Sequence, residues 1–292
     1  MTAMFTDLIV SFAKLMPRGG FRLLVILSKF VPALRHYPVA LPIVRGRVTL
    51  KANLANNVFF PLLKYGCYRH QIAEDFVIQA LLKDGDCVAD VGANIGYVSL
   101  VCAQCVGDGI VYAFEPSAVT FDYLEQMATQ VRQIKPYQLA ISDSSGSVRF
   151  VDEISSDTSH IADIHDPRGY LVDCCTIDAW ASTHEIGRID FLKIDAEGHD
   201  VQVMQGAGGV IKRYHPFIEF EAFTQKDTAR VFDILQDLDY AAGYNIYRVN
   251  KQYPLSVHLA DNSTNNYFAI PTIRLRDVPE FLFRRGFLVK NG

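Results

Sequence analysis

The sequence predicts an α/β fold in which a mostly parallel sheet carries helices on both faces. Three observations predict it. Short apolar runs alternate with stretches of helical period between residues 70 and 239; the first run of that series ends in a glycine-bearing turn; later runs end in acidic residues. Strands separated by helices of about 10–15 residues read as crossover units, which make neighbouring strands parallel. Such sheets bind ligands beyond the carboxyl ends of their strands, where strand order reverses.

Taken in order, residues 1–51 read as two short helices parted by the breaker cluster Pro17-Arg18-Gly19-Gly20, then short segments punctuated by Pro38, Pro42 and Pro61. His70 to Lys83 is a helix with Ala73, Phe76, Val77, Ala80 and Leu81 on one face. Cys87 to Val91 is the first strand of the alternation, Tyr97 to Cys105 a helix, and Ile110 to Phe114 the second strand. Ser117 caps the next helix, and Pro136 to Ile141 reads as a third strand. Asp143-Ser144-Ser145-Gly146 is a turn, Ser147 to Val151 returns from it, and Asp152 to Gly169 reads as a surface loop. Ile189 to Ile194 is the fourth strand, Asp200 to Arg213 a helix, Pro216 to Phe223 the fifth strand and Asp227 to Asp239 a helix. Tyr244–Val249 and Tyr267–Ile270 read as a closing antiparallel pair.

Composition bounds the function. A chain of 292 residues, 50% hydrophobic and 21% charged, is globular rather than disordered or fibrous. Six cysteines, mostly inside apolar runs, are too sparse for a secreted disulfide scaffold and point to a reducing, cytoplasmic compartment. The apolar stretch Phe21 to Leu34 holds Arg22, Lys29 and Pro32 and is too short and charged to span a bilayer; no signal-peptide pattern opens the sequence. A net charge of −4 excludes a bulk nucleic-acid binder. Residues 1–51 nevertheless hold eight Lys or Arg against Asp7 alone, a local +7 that leaves −11 for the remainder. Two readings fit that segment: a helical cap on an acidic body, or a peripheral contact with the inner face of an anionic membrane.

The strand ends carry the chemistry. Asp90-Val91-Gly92-Ala93-Asn94-Ile95-Gly96-Tyr97 has glycines for a tight turn and close ligand approach, yet Asn94 and Tyr97 stand where a dinucleotide fingerprint needs glycine. A carboxylate at Asp90 suits a ligand bearing an amino group and a sulfonium. Glu115, 25 residues further on, is spaced like an acid that accepts bonds from ribose hydroxyls. Ser142 and Asp143 end the third strand, either beside an adenine edge or as a simple turn. Lys193, Asp195, Glu197, His199 and Asp200 crowd the end of the fourth, where Asp195 and Glu197 suit a substrate hydroxyl or a cation and His199 a general base. One of Glu219 and Glu221 is expected to face the same cleft. Tyr65, Tyr68 and Tyr97 line that cleft or pack in the core. Cys102, Cys105, Cys174 and Cys175 lack neighbours at zinc spacing and read as core residues. His160 and His165 read as solvated loop residues.

DVGANIGYVSL, AFEP, LAISDSSGSV, CTIDAW, IDFLKIDAEGHDVQVMQGA and HPFIEFEAF, in that order and spacing, resemble the FkbM family of methyltransferases over roughly residues 65–225. The departures are Ala196 where Val is common and Asp200 where Glu is common. The resemblance implies a class I methyltransferase, Rossmann-like fold with a seven-stranded sheet, residues 65–292, behind an N-terminal helical or irregular extension, residues 1–64. It implies S-adenosyl-L-methionine as cofactor. Asp90, Gly92, Asn94, Gly96 and Tyr97 would surround its methionine part, Glu115 would bind the ribose, and Ser142 or Asp143 would lie by the adenine. Asp195, Glu197 and His199 would be catalytic. The expected reaction is methylation of a hydroxyl on a sugar or glycan, a polyketide or a lipid-linked molecule. No metal is assigned, although Asp195, Glu197 and Glu221 offer oxygens that suit magnesium. An NAD(P)-dependent oxidoreductase and an inactive methyltransferase-fold binding module are the alternatives.

Overall fold

A computed structural model describes residues 2–43, 46–153, 159–163, 165–222, 224–238, 244–249 and 265–290. Helices α1 (Thr2–Leu15) and α2 (Gly20–Ser28) lead, through a 3-10 turn at Pro32–Arg35, to a hairpin of β1 (Tyr37–Ile43) and β2 (Gly46–Ala52). Helices α3 (Phe59–Tyr65) and α4 (Ile72–Leu81) follow. The alternating part runs β3 (Cys87–Val91), α5 (Tyr97–Ala103), β4 (Ile110–Phe114), α6 (Ala118–Ala128) and β5 (Ile134–Tyr137). Next come β6 (Ala140–Ile141), β7 (Gly146–Val151), β8 (His160–Ala162), β9 (Tyr170–Cys175) and α7 (Ile177–Thr183). The chain then passes through β10 (Phe191–Ile194), α8 (Asp200–Gly206), α9 (Gly208–Tyr214), β11 (Phe217–Ala222) and α10 (Gln225–Leu238). It closes with β12 (Tyr244–Val249), β13 (Asn265–Pro271), a 3-10 turn at Thr272–Asp277, α11 (Phe281–Arg284) and β14 (Leu288–Lys290).

The principal sheet has the order β14-β12-β13-β11-β10-β3-β4-β5. Its five strands from β11 to β5 are parallel, and β13, β12 and β14 join antiparallel. The chain begins in the middle at β3, steps outward to β5, then returns to β10 on the other side. The switch point, where this topology opens a ligand crevice, therefore lies between the carboxyl ends of β3 and β10. This is the class I methyltransferase arrangement, lengthened at its antiparallel edge by the short strand β14. Two apolar clusters cover the sheet. Val88, Phe191 and Phe217 face one that includes α4, α5 and the N-terminal segment; Ala89, Leu192 and Ile218 face the other, under α7 to α10.

Several elements depart from the sequence-based expectation. The segment after Arg35 is an antiparallel hairpin, because Pro38 and Pro42 fall at exposed positions while Val39 and Leu41 alternate inward. Its second strand is covered: the backbone N–H groups of Thr49 and Lys51 donate to the side chains of Gln130, just past α6, and Gln126 of α6, each at 3.0 Å. The single run expected at Pro136 to Ile141 is divided between sheets: β5 joins the principal one, while β6 pairs with β9 in a four-stranded sheet ordered β6-β9-β7-β8. Within the stretch expected to be loop, His160–Ala162 pairs with β7, too short a strand to announce itself; residues 154–158 and 164 of that stretch lie outside the described residues. The helix expected from Asp200 to Arg213 is two helices. The closing strands do pair antiparallel, and residues 250–264 between them lie outside the described residues. All six cysteines are free thiols. Among the described residues no helix is long and apolar enough to cross a membrane.

Candidate functional site

The turn after β3 is built by backbone. The Gly92 and Ala93 N–H groups both donate to the Phe114 carbonyl at 3.0 and 2.9 Å, tying the ends of β3 and β4 together. Gly92 has φ 75°, and a Cβ there would collide with the Asp195 carbonyl oxygen. Gly96, at φ 88°, is pressed against Leu124 and Met127 of α6. Both glycines thus make room for the protein's own atoms, whereas the sequence reading gave that room to a ligand. Asn94 adopts φ 51°, a left-handed conformation asparagine tolerates, and its side chain accepts from the Ile95 N–H at 2.8 Å.

Glu115, one residue past β4, fixes this turn. Its Oε2 accepts from the Asn94 N–H at 2.8 Å and its Oε1 from the Ser117 N–H at 2.9 Å. Burial pushes its carboxyl up to about 7, with those bonds opposing the rise. Each oxygen keeps a lone pair for a further donor.

Asp90 lies deeper. It is fully buried, its Oδ2 accepts from the Ser99 hydroxyl at 2.6 Å, and Lys193 Nζ stands 3.6 Å from its Oδ1. Register explains the pairing: Lys193 sits opposite Asp90 on β3 and opposite Glu219 on β11, so three ionisable side chains share one face of three adjacent strands. Lys193 also donates to Asp195 Oδ2 at 3.0 Å. Burial alone would lower the ammonium pKa, but Asp195, Asp90 and Glu219 outweigh it and hold Lys193 above its usual value. Glu219, not Glu221, is the wholly buried member of the strand-end pair. The phenol of Tyr97 donates to Asp75 Oδ2 on α4 at 2.7 Å and its ring packs edge-on against Tyr68. Burial raises the Asp75 carboxyl to about 7.

On the other side of the switch point, Glu197 and Gly198 both take positive φ, 48° and 90°, turning the chain sharply into α8. His199 sits at the N-cap of α8, and its Nε2 lies 2.8 Å from the Ser142 hydroxyl, which donates to Asp143 Oδ1 at 3.2 Å. A hydroxyl has one proton. With that proton on Asp143, Nε2 is the donor toward Ser142 and Nδ1 is left as the basic nitrogen. Burial lowers the His199 pKa, with Asp143 opposing, which favours the neutral ring. Asp200 is buried with neither carboxylate oxygen hydrogen-bonded, and burial pushes it up to about 8.

The structure therefore gathers the residues in two connected groups: Asp90, the Gly92–Gly96 turn, Tyr97 and Glu115; then Asp195, Glu197 and His199, with Ser142 and Asp143 against the histidine. The Asp195 N–H donates to the Val91 carbonyl at 3.1 Å and joins the two. Sequence reasoning missed Asp75, on a helix read only for its apolar face, and Ser99, on the helix after the glycine turn. The signal was available in Ala73-Glu74-Asp75-Phe76, where two acids interrupt an amphipathic pattern; the buried side of α4 includes both acids, while Phe76 is largely exposed. Among the described residues no three His, Cys, Asp or Glu side chains are arranged to hold a metal, so Asp195, Glu197 and Glu221 form no such bracket.

Buried acceptors are concentrated on α4 and around the carboxyl ends of β3, β10 and β11. Buried oxygens without a hydrogen-bond partner occur at Asp90 Oδ1, Asp75 Oδ1, Glu219 Oε2 and both oxygens of Asp200. S-Adenosylmethionine is rich in donors and positive charge, with an ammonium, a sulfonium, two ribose hydroxyls and an adenine amino group. The donor sets fit.

The family described as the methyltransferase FkbM domain matches residues 90–242. The chain is 26% identical over 169 residues to the hexuronic acid methyltransferase AglP of Haloferax volcanii, covering 56% of this chain and 68% of that protein. Similar solved structures include the methyltransferase FkbM of Methylobacillus flagellatus KT, 17% identical with a TM-score of 0.49, covering 73% of this chain and 53% of that one. Another is Aeropyrum pernix fibrillarin with natively bound S-adenosyl-L-methionine, 14% identical with a TM-score of 0.41, covering 65% of this chain and 68% of that one. The match thus takes in about half the length of the Methylobacillus protein.

Proposed function

Because the chain belongs to the FkbM family of S-adenosylmethionine-dependent methyltransferases, we propose that it methylates a hydroxyl oxygen on a sugar or glycan. The observation that carries this reading is the double clamp of Glu115 on the glycine turn, with the half-buried His199 held by Ser142 across the switch point. A sugar acceptor is supported by the likeness to a hexuronic acid methyltransferase. The oxidoreductase alternative gives way to the family match.

In this reading Asp90, Tyr97 and the backbone of the turn through Gly92, Asn94 and Gly96 hold the methionine part of the cofactor, Glu115 the ribose, and Asp143 the adenine edge. Bound S-adenosylmethionine supplies an electrophilic methyl group carried on a sulfonium. An alcohol is a poor nucleophile at neutral pH, so its proton must leave as the new C–O bond forms. His199 Nδ1 takes that proton, while Ser142 holds the opposite nitrogen. Asp195, steadied by Lys193, orients the hydroxyl, and Glu197 closes the same loop. The burial that lowers the His199 pKa keeps the base form present to a lower pH than a free histidine allows, so the acid limb of turnover lies below that of an unperturbed histidine.

Calorimetry with S-adenosylmethionine and mass spectrometry of sugar acceptors test this. Glu115→Ala is expected to weaken cofactor affinity at least about tenfold through lost charge-assisted bonds. His199→Ala is expected to leave affinity intact, lower kcat by about 10²-fold or more and abolish the acid limb. Normal affinity in Glu115→Ala removes the ribose assignment, and unchanged kcat in His199→Ala removes the base.

A further inference from the structure

The first helix is amphipathic in the wrong sense for a cap. Its inward face carries the small or polar residues Thr6, Val10 and Ala13, all buried. Apart from the half-buried Ile9, its larger apolar residues face out: Met4 is 77% exposed, Phe5 56%, Leu8 67%, Phe12 59% and Leu15 82%. At about 100° per residue these five fall within one outward stripe. The second helix extends that face. Gly20, Leu24 and Ser28 are buried, and Ile26, at 56% exposure, lies on one outward stripe with Arg22 and Lys29, followed by Phe30 at 76%. The two helices are packed closely, since a Cβ at Gly20 would run into the Ala13 carbonyl, and α1 is tied to β1 by the Tyr37 hydroxyl, which donates to Asp7 Oδ1 at 2.9 Å. A soluble helix buries its large apolar side chains. Contiguous exposure of this kind marks an interaction surface.

Charge selects the occupant. Lys14, Arg18, Arg22, Lys29, Arg35, Arg47 and Lys51 are all exposed, against Asp7 as the segment's one acid. A second copy meeting this face across a two-fold axis would bring like charge onto like charge. An anionic surface meets no such penalty, and the −11 remainder would be held away from it, which orients the molecule.

We propose that the outward face of α1 and α2 is a docking surface for an anionic lipid bilayer, with Leu8, Phe12 and their neighbours entering the headgroup boundary and the surrounding lysines and arginines contacting lipid phosphates. This reaches beyond the methyl-transfer reading and stands independently of it, since no residue of the cleft takes part. It presents the enzyme to acceptors carried at a membrane.

The test is co-sedimentation of the full chain with phosphatidylcholine vesicles containing about a third phosphatidylglycerol, against vesicles of phosphatidylcholine alone. Binding to the anionic vesicles is expected to be at least about tenfold stronger and to weaken as salt rises. Leu8→Glu/Phe12→Glu should abolish it, and Lys14→Glu/Arg18→Glu/Arg22→Glu should reduce it to the level of the neutral vesicles. Cofactor titration of each variant, unchanged from the parent, certifies the fold without reference to turnover. Equal binding by the Leu8→Glu/Phe12→Glu variant overturns the proposal. So does a parent that ignores both vesicles and sediments as a dimer dissociated by that double substitution, for then another copy covers the face.

Discussion

Asp200 is a residue whose surroundings conflict with its charge. Both its carboxylate oxygens are buried without a hydrogen-bond partner, and Asp195 and Glu221 add to the burial that raises its pKa from 3.8 to about 8. The folded state therefore binds a proton that the unfolded state releases near pH 4, and stability falls as pH rises from there to about 8. Asp200→Asn should raise Tm at pH 8, leave it nearly unchanged at low pH, and flatten the dependence between, as differential scanning calorimetry would show. A pH profile as steep as the parent's would mean that Asp75 and Glu115, both raised to about 7, carry the effect instead. Lys193 shows the opposite case. It is a buried cation whose three acidic neighbours were partly legible as residue types, but whose pairing depends on strand register.

At the scale of elements, local pattern and packing had to agree before an element could be read. The helices flanking β3 and β4 were legible because their apolar faces and caps are local; Ser117 does accept from the Thr120 N–H. The hairpin β1–β2 was not, since its prolines look like breaks until their outward positions are known. The contact of α1 with α2 rests on Gly20, where the Ala13 carbonyl occupies the place of a side chain. Gly20→Ala is expected to destabilise the protein by about 1–3 kcal/mol through overpacking. Urea unfolding would measure it, and limited proteolysis should cleave sooner between residues 16 and 20.

Across the whole molecule, one apolar cluster runs from Val10 and Leu41 through Leu100 and Tyr123 to Leu288, so the N-terminal extension and the methyltransferase sheet share a core. Deleting residues 2–52 would expose Leu54, Phe59 and Leu62, and the shortened chain is expected to unfold at a lower temperature than the full chain and to aggregate. A truncated protein with the parent's Tm would mark the extension as an independent unit. What the sequence determined by itself was the alternation of strands and helices, the antiparallel closing pair and the residue types at each strand end, because periodicity and turn chemistry are properties of a few consecutive residues. Tertiary structure alone decided which acid pairs with Lys193, that Asp75 reaches Tyr97, that Ser142 meets His199, and that the first helix turns its large apolar side outward. Those outcomes depend on which distant surfaces come together and which side chains water can still reach.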